Sequence, residues 1–118
     1  SKGVETISSV EIGRRVKEAR KQKVITEFKD KYYQVYNYFN SQPFAERFIN
    51  CQVDSIILPM TRRIGSSMCT ELVEELPFYD EEGKVYIDDI KEYLEAEGFY
   101  VDLMEYGYNT ELLLKLEQ

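Results

Sequence analysis

A change of hydrophobic period at Gly98 restricts the fold more than any other feature of the chain. Before it, Ile90, Tyr93 and Leu94 recur at three- and four-residue steps, the spacing of one face of an α-helix. After it, apolar residues recur at every second position, as in a half-buried strand. Glycine tolerates the left-handed backbone conformation that ends many helices. Residues 85–116 are therefore predicted to form a helix that ends at Gly98, followed by a β-hairpin.

The polar residues around this unit predict its ends. Asp88 or Asp89 can cap the helix, because a short side-chain oxygen accepts a hydrogen bond from an N–H group of the first turn. With Asp89 as the cap, Glu92 takes the capping-box position. A turn is expected at residues 106–109, where Gly107 tolerates positive φ. The residues expected on the inner side of the hairpin are Phe99, Val101, Leu103, Thr110, Leu112, Leu114 and Leu116.

The N-terminal third predicts a long helix after a flexible lead-in at residues 1–8. Ser8 and Glu11 have capping-box spacing. Apolar residues then recur at helical steps, which predicts one amphipathic helix of about 30 residues, or two with a bend near Gln22 and Lys23. A helix of that length spans about 45 Å, so we expect part of it to project or to pack against a second copy. The apolar residues are Ile12, Val16, Ala19, Val24, Phe28, Tyr32, Val35 and Phe39.

The middle of the chain is predicted to be largely helical. Ser41 or Gln42 can cap a second helix that has Pro43 in its first turn. Residues 51–58 fit a helix or a strand, and we favour the helix. A third helix is predicted over residues 61–76, and a short strand over residues 84–87. The whole predicts a single α+β domain at residues 9–118: a long N-terminal helix and two further helices, then a helix followed by a C-terminal antiparallel β-hairpin.

The net charge of −7 is unevenly distributed along the chain. Residues 1–70 contain 12 Lys/Arg against 7 Asp/Glu, whereas residues 71–118 contain 3 against 15. This asymmetry predicts either an electrostatic fit within or between chains, or two surfaces for two partners. Cys51 and Cys69 have no metal-ligand pattern around them, and we expect both to be buried, reduced thiols in a cytoplasmic protein without a membrane span.

The residue types favour a protein without catalytic activity. Histidine is absent, which removes the commonest general base and metal ligand. The acidic residues near Asp80 lack the alternating oxygen ligands of an EF-hand. We therefore expect no catalytic residue, no metal and no cofactor. A metal-dependent enzyme that uses the carboxylates between Asp80 and Asp89 is the second alternative.

Two charged faces are the candidate binding sites. The acidic face, formed by Asp88, Asp89, Glu92, Glu95 and Glu97, would repel nucleic acid and is expected to bind another protein. The basic face of the first helix could contact nucleic-acid phosphates or a second partner, and a homodimer could form through the same helix. Its residues are Arg14, Arg15, Lys17 and Lys21.

Residues 90–116 resemble the C-terminal end of small uncharacterised proteins from tailed bacteriophages. In those proteins a helix ends in Gly-Tyr-x-Val and leads into a hairpin whose last strand has alternating aliphatic residues. Here Phe99 replaces the tyrosine, Val101 matches, and the terminal tryptophan of many of them is absent. The resemblance implies a phage accessory protein that works in the host cytoplasm. The expected function is to bind a host or phage protein through the acidic C-terminal surface and so to modulate or inhibit it. A nucleic-acid-associated or virion assembly protein is the first alternative.

Overall fold

A computed structural model describes residues 6–60, 62–64, 69–71, 87–106 and 109–117. It confirms an α+β fold that begins with a long helix and ends with an antiparallel hairpin. In chain order the described elements are α1 (Ser9–Lys31), α2 (Tyr33–Phe39), α3 (Gln42–Ile49), β1 (Ser55–Pro59), β2 (Arg62–Ile64), β3 (Cys69–Glu71), α4 (Ile87–Ala96), β4 (Phe99–Tyr106) and β5 (Asn109–Leu116).

The larger sheet has three antiparallel strands in the order β1-β5-β4, so β5 is central. In the hairpin, Tyr106 pairs with Asn109, and the predicted turn residue Gly107 lies outside the described residues. Because side chains alternate along strands, two cross-strand rows face the helices. These rows are Ile56, Leu114 and Val101, and Leu58, Leu112 and Leu103.

The helix predicted over residues 51–58 is wrong, because the end of this segment is strand β1. Helix α3 stops at Ile49, and Gln52 has a φ of 53° in the turn that follows. Strand β1 then adds to the free edge of β5, with Ile57 opposite Leu113. The hydrogen bonds that decide the conformation come from the far end of the chain, where a local pattern cannot indicate them.

The helix predicted over residues 61–76 is also wrong where the structure describes this segment. Strands β2 and β3 form a two-stranded antiparallel sheet in which Arg62 is opposite Glu71 and Ile64 is opposite Cys69. Of the strand predicted at residues 84–87, only Ile87 is described, and it is the first residue of α4. The remaining positions of both predictions, 61, 65–68, 72–76 and 84–86, lie outside the described residues.

The first helix begins at the predicted residue, but it does not end or bend where the sequence predicts. The hydroxyl of Ser8 accepts a hydrogen bond from the N–H of Glu11 at 3.2 Å, which confirms the cap. The alternative with a bend near Gln22 and Lys23 is wrong, since α1 continues to Lys31 and breaks at Tyr32, with φ −129° and ψ 61°. Ser41 caps α3 as predicted, through a 3.4 Å hydrogen bond from the N–H of Phe44.

The apolar residues of α1 do not form one continuous face. Each residue turns the helix by about 100°, so the five-residue step from Ala19 to Val24 moves the apolar row about 140° around the axis. Phe28 is buried in the core, whereas Ile12 is 52% and Val16 is 43% exposed. The prediction of one amphipathic face is therefore wrong. The first half of the helix exposes its apolar row, and the homodimer expected through this helix stays a prediction.

The core lies where α1, α2 and α4 meet the sheet, and Tyr93 is at its centre. The Tyr93 ring is 1% exposed and stacks on Phe28, with ring centroids 4.1 Å apart and planes 8° apart. Tyr36 and Phe39 of α2 contact the same ring at 5.8 Å and 6.1 Å. Tyr93 thus connects three helices. The buried core residues are Phe28, Val35, Phe39, Phe44, Phe48, Leu58, Met60, Ile90, Tyr93, Leu94, Val101, Leu112 and Leu114.

Both ends of α4 depend on residues that the sequence singled out. The helix begins at Ile87, so Asp88 and Asp89 lie in its first turn, and the prediction that one of them is the cap is wrong. Carboxylates in a first turn still stabilise the helix, because they face the positive end of its dipole. At the other end Gly98 has a φ of 102°, which confirms the predicted left-handed residue between α4 and β4.

Two further expectations concern the cysteines and the membrane. Cys51 is exposed, so its predicted burial is wrong. It lies in the turn that follows α3. The side chain of Cys69 is outside what the structure describes. In the described parts of the chain, no helix is both long and apolar enough to cross a bilayer.

Candidate protein-binding surface

Helix α4 separates its apolar and acidic residues onto opposite faces. Ile90, Tyr93 and Leu94 are essentially fully buried against α1, α2 and the sheet. At 100° per residue, Asp88, Glu92 and Glu95 fall on the opposite side of the helix. All three are exposed. We call these three residues the acidic stripe.

The acidic stripe keeps a strong negative charge on a firmly packed element. Its residues are spaced by four and then three positions, so their side chains are neighbours along the helix surface. Lys91 Nζ lies 3.2 Å from a carboxylate oxygen of Glu95, the one ion pair found for the stripe among the described residues. Because the apolar side of α4 is buried, the direction of the stripe is fixed relative to the whole core.

Two of the five predicted acidic residues belong to internal contacts instead. Asp89 faces α1, where it accepts a 2.7 Å hydrogen bond from the Tyr32 hydroxyl and lies 3.3 Å from Lys31 Nζ. The Tyr32 hydroxyl and then the Asp89 carboxylate raise the pKa of Lys31 above its ordinary value. The structure therefore brings three of the predicted residues together and assigns Asp89 to holding α1 against α4.

Glu97 also has an internal contact. The Tyr93 hydroxyl donates to a Glu97 carboxylate oxygen at 3.2 Å, and the Asn40 side-chain amide donates to the same hydroxyl at 2.8 Å. Burial raises the pKa of Tyr93, because its charged form would be poorly solvated. Nothing in the sequence spacing of Asn40 pointed to a contact with Tyr93, which is 53 positions away.

The predicted basic face is divided into two parts. Arg14 donates to both carboxylate oxygens of Glu11 at 2.9 Å and 2.6 Å, and Arg15 donates to one of them at 3.0 Å. The Arg14 guanidinium, followed by that of Arg15, lowers the pKa of Glu11. These two arginines are therefore partly neutralised within their own helix.

Lys17 and Lys21 lie on the side of α1 that faces α4 and β4. They line an open groove of about 560 Å³. Its other charged residues are Lys91, Glu95, Asp102 and Glu117. Three carboxylates so close to the lysines would repel a nucleic-acid phosphate. The four predicted basic residues therefore do not form one continuous positive surface.

A smaller cavity of about 160 Å³ lies between α1 and α4, beside the acidic stripe. It is lined by Val24, Glu27, Phe28, Lys31, Tyr32, Asp89 and Glu92. Nowhere in the described residues do three or more Asp, Glu or Cys side chains come together as a metal site would require. Asp80 lies outside the described residues, so the metal-dependent alternative stays a prediction.

Comparison with protein-family models, with curated proteins and with solved structures finds no match to this chain. The resemblance of residues 90–116 to phage proteins therefore stays a prediction, and the surface has to be interpreted from its own chemistry.

Proposed function

We propose that this protein has no catalytic activity and acts by binding another protein through the acidic stripe. The observation that carries the proposal is that Asp88, Glu92 and Glu95 are exposed on the face of α4 opposite to the buried Ile90 and Leu94. A row of like charges is unfavourable for the isolated chain, whereas a partner with a basic surface would be attracted to it. The partner is therefore expected to present lysine or arginine residues.

The strength of such an interaction can be bounded from the exposure of the charges. One exposed ion pair contributes about 0.2–1 kcal/mol, so three of them cannot alone give a tight complex. Exposed charges mainly speed up association and select the partner, and they are screened beyond about 8 Å at physiological salt. We therefore expect fast, salt-sensitive association, with further affinity from contacts beside the stripe.

The test is a capture experiment from bacterial lysate with the intact protein and two charge-reversed variants. Glu92→Lys/Glu95→Lys changes the stripe. Asp30→Lys/Asp54→Lys makes the same change in net charge at two exposed positions that do not belong to the stripe. A protein captured by the unchanged chain and by the control variant, and lost with the stripe variant, supports the proposal. Equal capture by all three contradicts it.

The same experiment separates the nucleic-acid alternative. Binding to phosphates falls steeply as salt rises, because counterions are released. If nucleic acid is captured, is released by moderate salt and is lost after Lys17→Ala/Lys21→Ala, the basic helix is the functional element and the acidic stripe is not. We further propose a bacteriophage setting in the host cytoplasm, which rests on the resemblance of the C-terminal helix and hairpin.

A further inference from the structure

The cavity between α1 and α4 combines features that suit a cationic side chain. Among the residues that the structure describes, three carboxylates, those of Glu27, Asp89 and Glu92, border it, against the single positive charge of Lys31. Its apolar wall is formed by Val24 together with the aromatic residues Phe28 and Tyr32. A flat apolar wall with carboxylates at the rim is the arrangement that binds an amphipathic cation such as arginine or lysine.

The chain itself already places a cation at this cavity. Lys31 Nζ lies 3.3 Å from an Asp89 carboxylate oxygen and 5.1 Å from the centre of the Tyr32 ring. Asp89 is held in place by the 2.7 Å hydrogen bond from the Tyr32 hydroxyl. The Lys31 side chain is 60% exposed, so a cation from a partner would compete with it for this position. The contacts of Lys31 show how a positive group fits here.

We propose that this cavity binds the guanidinium group of an arginine side chain presented by the protein partner. The cavity of about 160 Å³ holds about five water volumes of 30 Å³, and a guanidinium with its adjoining methylene has about as many heavy atoms. Guanidinium is planar, stacks on aromatic rings and binds carboxylates through two parallel hydrogen bonds, which an ammonium cannot do. Glu92 and Glu27, from different helices, are the carboxylates that would receive it. Glu27 Oε1 lies 3.9 Å from Lys23 Nζ in a highly exposed pair, which an arginine would have to replace.

This inference rests on the proposed function, because it supplies the contact beside the acidic stripe that a salt-sensitive complex needs. Glu92 belongs to both sites, whereas Val24 and Glu27 border only the cavity. Substitutions at these two residues therefore test the cavity while they leave the stripe unchanged.

The probe is a blocked Gly-Arg-Gly tripeptide, titrated into the ¹⁵N-labelled full chain and followed by amide chemical shifts. The matched control peptide has citrulline, which keeps the shape of arginine and lacks its charge. We expect the arginine peptide to shift amides of residues 24–32 and 89–92, and the citrulline peptide to bind at least fivefold more weakly. Equal binding of the two peptides, or shifts confined to other parts of the chain, would overturn the proposal.

Three variants test whether individual residues of the cavity strengthen or weaken the binding of the arginine peptide. Glu27→Gln should weaken the arginine peptide about two- to fivefold, as expected for one exposed ion pair. Lys31→Gln should strengthen it by a similar factor, because it removes the internal competitor. Val24→Trp should abolish binding by filling the cavity. If circular dichroism shows that Val24→Trp is misfolded, the test rests on the opposite effects of Glu27→Gln and Lys31→Gln. If neither of these two variants changes the affinity for the arginine peptide, the proposed cavity site is wrong.

Capture of the protein partner then distinguishes the two proposals. Loss of capture with Glu27→Gln as well as with the stripe variant supports the arginine cavity. Capture unchanged by Glu27→Gln and lost with Glu92→Lys/Glu95→Lys overturns the cavity as a partner site and leaves the proposed function standing. If the arginine peptide binds but the stripe variant captures the partner as well as the unchanged chain does, the proposed function is refuted. The cavity then stands as a guanidinium site.

Discussion

Replacement of Tyr93 tests whether one buried ring holds the acidic stripe in position. In Tyr93→Phe the ring stays against Phe28, and only the hydroxyl contacts with Asn40 and Glu97 are lost. The Asn40 amide keeps its 2.8 Å hydrogen bond to the Tyr36 carbonyl, so no buried donor is left without an acceptor. The expected loss is about 1 kcal/mol of the free energy of unfolding.

Tyr93→Ala should cost far more, because it removes the ring and leaves a cavity among three helices. Truncation of a fully buried aromatic residue typically costs about 3–5 kcal/mol. With a urea dependence of about 2 kcal/mol per molar, the midpoint should fall by about 0.5 M for Tyr93→Phe and by about 2 M for Tyr93→Ala. Urea unfolding followed by circular dichroism at pH 7 measures both. A shift for Tyr93→Ala no larger than that for Tyr93→Phe would refute the central role of the ring.

Three further predictions address the sheet, the helix end and the dependence on pH. Leu58→Ala, at a position with 0% exposure, should lower the free energy of unfolding by about 2–5 kcal/mol. Ile57→Ala, its 49% exposed neighbour on the outer face, should cost under about 1 kcal/mol in the same urea titration, and equal losses would contradict the assigned register. Gly98→Ala should lower the free energy of unfolding by about 1 kcal/mol or more, because φ is 102°. A Cβ at this position would have no atom within 4 Å, so the cost comes from the backbone and not from a clash. An unchanged urea midpoint would mean that the backbone relaxes freely. The pKa of Tyr93 is raised on folding, so its contribution is fully present below the unfolded pKa of about 10 and is lost as pH rises above it. The midpoint difference between the unchanged chain and Tyr93→Phe should therefore shrink between pH 8 and pH 11, and a constant difference would contradict the assignment.

Local signals in the sequence were reliable where the structure depends on neighbours along the chain. The cap at Ser8, the cap at Ser41 and the left-handed residue at Gly98 each follow from the chemistry of one residue and the next few. The buried face of α4 was predicted for the same reason, since helical periodicity alone brings Ile90 and Leu94 together.

The candidate site was predicted only in part. Five carboxylates were assigned to one acidic face, and the structure puts three of them there. Asp89 is turned towards Lys31 and Tyr32, and Glu97 receives the Tyr93 hydroxyl. A sequence shows which side of a helix a residue occupies, and it does not show which other helix passes beside that side. The cavity between α1 and α4 was missed for the same reason.

The sequence by itself determined the class of the fold, the starts of α1 and α3, the end of α4 at Gly98 and the hairpin at the C-terminus. Tertiary structure alone decided that residues 55–59 are a strand, because their hydrogen-bonding partner is β5, with Ile57 opposite Leu113. It also decided that the first half of α1 turns its apolar row to solvent, since the second half fixes the helix against Tyr93. In both cases the deciding contact joins residues more than 50 positions apart, and the free energy of such a contact appears only once the chain has folded.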